Sequence, residues 1–160
     1  MLKKVSEPED LPFLFDLYCS SRLAEVRAWG WDEAVARPFL HMQYNAQTSS
    51  YRLQYPDADH YLVCCHGDEK AGRMLVHRTP RSIRIVDITL LPQFQNQGFG
   101  TKLLQSLMKE ARIRNLPLQL SVLRGNHGAI ALYERLGFQP ADARQDDMYL
   151  AMEWSKEICR

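Results

Sequence analysis

Ile83-Arg84-Ile85-Val86-Asp87-Ile88-Thr89-Leu90-Leu91-Pro92, followed two residues later by Gln95-Asn96-Gln97-Gly98-Phe99-Gly100-Thr101-Lys102-Leu103-Leu104, is the stretch on which the fold turns. The first part is apolar apart from Arg84, Asp87 and Thr89, and Pro92 closes it, as in a strand buried on both faces. The second part sets two glycines among amide-bearing residues, after which Leu103, Leu104, Leu107 and Met108 repeat at helical spacing. The reading is strand, glycine turn, helix.

The first N–H groups of a helix have no internal partner, and its positive dipole end favours an anion, so a phosphate fits at such a turn. Glycine at 98 and 100 lets backbone approach a ligand where a Cβ would collide. A Walker loop is excluded, because Gly100, Thr101 and Lys102 stand in the wrong order, and a dinucleotide fingerprint is excluded because Leu103 replaces its third glycine.

Downstream, Leu118, Leu120 and Val122 alternate as a strand, and Asn126 opens a helix carrying Ile130, Leu132, Tyr133 and Leu136 before Gly137 stops it. Asn126 and Tyr133 are two helical turns apart and share a face. Gln95, Gly98 and Gly100 directly after a buried strand closely resemble the acetyl-CoA pyrophosphate loop of the GNAT superfamily of N-acetyltransferases, and Asn126 to Phe138 resembles the second half of that family's cofactor site. The resemblance covers roughly Tyr61 to Trp154 well and the first half of the chain in outline.

The resemblance implies a function: transfer of acetyl from acetyl-CoA, as cosubstrate, directly to a primary amine of a small molecule or peptide. It places the pyrophosphate on Gln95, Asn96, Gln97, Gly98, Phe99, Gly100 and Thr101, and the pantetheine arm on the backbone near Leu90 and Leu91, where the family's two parallel strands splay. Asn126 would hold that arm or the start of its own helix. Tyr133, which the resemblance places in the cofactor site near the sulfur, is the implied acid for the departing thiolate. Asp87, the only carboxylate on the central strand, is the candidate base, with Glu25 and His77 below it and a base-free or water-mediated route as the alternative. A regular pleat puts Asp87 on the face opposite Arg84, Val86, Ile88 and Leu90. Arg84 in the pocket would suit an acceptor with its own carboxylate or phosphate; otherwise it is a surface ion pair. Glu25 and Trp29 fall where the family chooses its acceptor, although tryptophans there serve equally as core. A non-catalytic acyl-CoA-binding module is the alternative function.

At 160 residues the chain reads as one domain. With 46% hydrophobic residues, 24% charged and a net charge of +1, it has the composition of a soluble globular protein and no signature of a nucleic-acid or membrane surface. Cys19, Cys64, Cys65 and Cys159 show neither metal spacing nor a disulfide framework, so we expect reduced thiols, no metal and a cytoplasmic location. A homodimer is left open.

Taken in order, the sequence reads as a helix bearing Leu11, Leu14, Leu17 and Tyr18, then a second capped by Asp32 and carrying Val35, Phe39, Met42 and Ala46. Antiparallel strands follow at Tyr61–Cys65, Arg73–His77 and Ile83–Leu91, then a helix Gly100–Ile113 and a strand Leu116–Leu123 parallel to the central one. Phe138–Gln139 and Met148–Trp154 complete the sheet. The expected fold is α/β (α+β), GNAT-like: a mixed, mostly antiparallel sheet with two splayed parallel strands and helices on both faces.

Overall fold

The structure, a computed structural model, describes residues 1–141 and 147–157; Cys159 lies outside them. Along the chain β1 (Leu2–Lys4), α1 (Leu11–Ala28), α2 (Glu33–Gln54), β2 (Asp59–Cys65), β3 (Glu69–Arg78) and β4 (Ile83–Leu90) come first. Then follow α3 (Phe99–Arg114), β5 (Leu118–Leu123), α4 (His127–Leu136), β6 (Gln139–Pro140) and β7 (Tyr149–Trp154). The strands form one mixed sheet in the order β1-β2-β3-β4-β5-β7-β6, with β4 and β5 parallel. Strand β1 carried no sequence signal, because three residues with two lysines show no periodicity; it exists by pairing Leu2 with Val63 and Lys4 with Tyr61. By internal contacts the chain divides into two compact units, Met1–Leu75 with Ile88–Gln95, and Val76–Asp87 with Asn96–Arg160.

In the first unit α1 and α2 form a helical pair. Asp32 caps α2 by accepting the Val35 N–H at 2.9 Å. Val26 of α1 is buried with Ala36 and Leu40 of α2, and Tyr18 and Cys19 pack against them. The stripe that the sequence makes conspicuous on α2 therefore does not face this core: Val35 and Met42 stay exposed. The buried face is the one whose small Ala36 lets the helices approach closely. Asp10, directly before α1, makes no side-chain cap. Its carboxylate accepts the Ser6 N–H at 2.7 Å and the Lys70 ammonium at 2.9 Å. Those two donors, the backbone one foremost, hold its pKa below the usual carboxylate value against the opposing effect of burial.

In the second unit β5 is fixed along its whole length to β7, from Leu118↔Trp154 to Leu123↔Tyr149. Leu118, Leu120 and Val122 bury one face of β5, while Met152 and Trp154 are buried on β7. Helix α3 buries Leu104, Leu107 and Ala111. A two-pronged contact of Arg78 with Glu110 at 2.8 and 3.0 Å ties it to the end of β3 and holds the Glu110 carboxyl below its ordinary pKa. Strand β4 departs from the expectation of burial on both faces: Ile83 and Ile85 are buried, but Val86 to Leu90 are only half-buried.

Candidate active site

Half-burial of β4 begins where its parallel partner leaves. In the second unit β4 and β5 pair through Ile83↔Leu118 and Arg84↔Gln119, and among the described residues the register ends there. Strand β5 runs on to Leu123 with its other edge paired to β7. A ladder that stops in mid-sheet presents main-chain N–H and C=O groups that an extended ligand can pair with. At the last pair the Arg84 guanidinium donates to the Ser121 hydroxyl at 2.7 Å, joining the two strands as they part.

Asp87 lies three residues beyond Arg84, in the stretch past the last pair. Burial, and then the Asp87 charge, push the Tyr133 phenol above its ordinary pKa. The Tyr133 ring packs against Phe138 with centroids 5.7 Å apart. Asn126 caps α4 by accepting the Ala129 N–H at 3.2 Å, which commits its oxygen to the helix that carries Tyr133. A phenol kept protonated can deliver a proton to a departing anion.

The glycine loop leads into α3. Asn96 and Gly98 have φ values of 60° and 87°, in the left-handed region. Gly98 is the N-cap, its carbonyl accepts the Lys102 N–H at 3.0 Å, and no side chain caps the helix. Phe99, Gly100 and Thr101 form its first turn, with Gln97 immediately before the cap. Glycine at 98 answers to its backbone conformation. Gly100 has no such need, and a Cβ built there would meet nothing within 4 Å. The fold leaves open space where a side chain at Gly100 would stand, next to a helix start of the kind that suits a diphosphate. The residues present thus fit the nucleotide end of CoA.

In the first unit, Gln95 Nε2 donates to the Leu90 carbonyl at 2.9 Å, and the Leu91 N–H donates to the Ala71 carbonyl at 2.8 Å. A pantetheine amide donating to Leu90 would share that oxygen with Gln95 through its second lone pair. Sequence reasoning missed Gly72, which packs under this point: a Cβ there would stand 2.1 Å from the Thr89 carbonyl oxygen and 2.9 Å from the Leu90 Cα. A glycine inside a strand pattern is the signal that marks such an approach. We expect Gly72→Ala to displace β4 locally and to lower stability by about 1–3 kcal/mol, read as a reduced denaturation midpoint. An unchanged midpoint would show that β4 can retreat freely.

Glu25 and Trp29 lie on the first unit. Glu25 is exposed and pairs with Arg22 at 2.7 Å, while Arg22 also reaches the Tyr18 hydroxyl and Gln43, both at 2.8 Å. Trp29 ends α1 in edge contact with Trp31 and Phe39. His77 is half-buried on β3. The structure therefore joins Gln95 to Leu90, and the Asp87 charge is felt at Tyr133, while Glu25 joins a surface network. Among the described residues no group of three or more His, Cys, Asp or Glu is placed to hold a metal, and no helix is long and apolar enough to cross a membrane.

Residues 23–138 match the model of the Acetyltransferase (GNAT) family. The chain is 41% identical over 63 residues to the ribosomal-protein-bS18-alanine N-acetyltransferase of Salmonella typhimurium, covering 39% of this chain and 43% of that protein. It is 33% identical over 97 residues to the putative bS18-alanine N-acetyltransferase of Bacillus subtilis, covering 59% of this chain and 62% of that one. The matches thus span about half the length of these relatives. In fold it is similar to the PaiA N-acetyltransferase of Thermoplasma acidophilum, solved in complex with coenzyme A, with a TM-score of 0.69 at 18% identity over 97% of this chain and 98% of that one.

Proposed function

Because the chain belongs to the GNAT family of acetyltransferases, we propose that it transfers acetyl from acetyl-CoA directly to a primary amine, and that the amine is the amino terminus of a polypeptide. The observation that carries this reading is the parting of β4 from β5 after Arg84↔Gln119, with Asp87 on the stretch of β4 that follows. The cosubstrate supplies the acetyl group as a thioester. The residues of the chain do the rest. The loop from Gln95 to Thr101 holds the pyrophosphate, Leu90 and Leu91 align the pantetheine arm, and Asn126 fixes the start of α4. A main-chain N–H of β4 near Leu90 faces the carbonyl oxygen of the acetyl group as negative charge develops on it. Tyr133 gives its proton to the sulfur as the C–S bond breaks, and Asp87, directly or through water, takes the proton that the attacking nitrogen releases.

The choice of acceptor follows from the proton balance. A lysine-type amine with a pKa of about 10.4 is neutral in roughly one molecule in a few thousand at pH 7, whereas an α-amino group with a pKa of about 7.7–8.0 is neutral in about one in ten. A site whose candidate base is the single carboxylate of β4, Asp87, suits the second. The named relatives act on an alanine of a ribosomal protein, which agrees in kind. Arg84 is a positioning residue in this reading, holding the fork through Ser121 and offering charge to an acidic acceptor.

Thiol release from acetyl-CoA tests the proposal with three acceptors: peptides with a free amino terminus, the same peptides blocked at that end but carrying lysine, and small polyamines. We expect release with the first. Release confined to the other two would replace the acceptor class. CoA binding without thiol release from any acceptor would leave a binding module in place of an enzyme.

A further inference from the structure

Helix α2 has two apolar faces, and only one is used. Ala36 and Leu40 face the core of the first unit. On the other side Val35, Phe39, Met42, Ala46, Ser49 and Leu53 recur at intervals of four, three, four, three and four, the spacing of a coiled-coil seam, with no charged residue among them. Val35, Met42 and Leu53 are 56%, 62% and 84% exposed. At the amino end of the helix Trp29 and Trp31, 47% and 40% exposed, pack edge-on against Phe39 and widen the stripe. These five exposed side chains leave on the order of 500 Å² of apolar surface in water, at the upper end for a monomer's largest patch. They supply more than half of the roughly 800 Å² per partner that a specific dimer buries.

We infer that this stripe is the contact between two copies of the chain, packed as antiparallel α2 helices about a two-fold axis level with Tyr44. The order of side-chain sizes along the seam carries the inference. An antiparallel pair with that centre sets Val35 against Leu53, Phe39 against Ser49 and Met42 against Ala46 of the second copy. The two largest side chains each meet a small one, and every contact is made twice, as an isologous interface requires. The small central residues let the helix axes approach, and a seam spaced at 3.5 residues keeps both stripes in register over about 27 Å.

The charges agree. Helix α2 carries Glu33, Arg37 and Arg52, and Arg52 already pairs with Glu7 at 3.1 Å. The antiparallel register brings Arg37 level with Tyr51 and Arg52 level with Ala36 of the other copy, so no like charges meet. A membrane surface would instead want rows of lysine and arginine along the flanks of the stripe, which α2 lacks.

The full chain, sedimented between about 1 and 100 µM, is expected as a dimer. Ala46→Glu, which sets a carboxylate against Met42 of the second copy, should raise the dissociation constant at least ~100-fold without changing the circular dichroism spectrum. Ser49→Glu, on the exposed face of the same helix, gives an independent measure should Ala46→Glu disturb folding. Ala46→Met alone should weaken the dimer by crowding, whereas Met42→Ala combined with Ala46→Met restores the large-against-small pairing and the association. A monomer throughout the range would overturn the inference, as would a dimer indifferent to both glutamates or a double variant as weak as the single. Recovery of the monomer on neutral lipid vesicles would show that a bilayer, not a second copy, covers the stripe.

Discussion

Tyr133→Phe should lower kcat by about 10²–10³-fold and leave the affinity for CoA within about a factor of two. In the proposed mechanism, removing the hydroxyl takes away the proton for the departing sulfur, while the ring keeps its packing against Phe138. A thiolate with a pKa near 8.5 must then leave unprotonated or await water. The environment of Tyr133 bears on the pH profile. Burial, and after it the Asp87 carboxylate, disfavour the phenolate and raise the pKa, so the acid remains protonated across neutral and moderately alkaline pH. Activity should climb as the acceptor amine loses its proton, level off near pH 8–9 for an α-amino acceptor, and show no fall attributable to Tyr133 below about pH 10. Equal loss of turnover and CoA binding in Tyr133→Phe would reduce the residue to a packing role. A descending limb near neutrality that disappears in the variant would refute its raised pKa.

Gly100→Val should weaken CoA binding by at least ~100-fold while the protein keeps its melting temperature to within about two degrees. The expectation rests on two facts about one position. Its backbone does not require glycine, and a Cβ added there would touch nothing within 4 Å. We therefore expect the free protein to take a side chain here at little cost, apart from that of a β-branched residue in a first helical turn. A diphosphate seated on the same N–H groups would not. Gly98→Val is the control of opposite character: at a φ of 87° a side chain strains the loop whether or not a ligand is present, so both stability and binding fall. Isothermal titration with CoA, set beside thermal melts, separates the two. If Gly100→Val binds CoA like the parent chain, the pyrophosphate does not sit over this turn.

How much of this was legible beforehand depended on the range of the interaction. The caps were readable, because a cap is a contact between neighbours in sequence: Asp32 with Val35, Asn126 with Ala129, and Gly137 in its left-handed turn at 102°. The strand-glycine-helix passage was readable for the same reason, and with it the family. The edge strand β1 was not, since its only reason to be extended is β2, some sixty residues away. Nor was the true inner face of α2. Periodicity reports that a stripe is apolar, and α2 has two; which one is buried depends on what packs against it.

Local spacing and residue chemistry thus determined the order of the elements after β1, the turn that suits a diphosphate and the helix that bears Tyr133. Only tertiary structure decided that β4 parts from β5 after Arg84, that Gly72 lies against the Thr89 carbonyl, and that Tyr133 is buried where the Asp87 charge acts on it. The physical reason is that each of these is set by strand register and by burial. Both depend on residues distant along the chain, and neither leaves a period in the sequence.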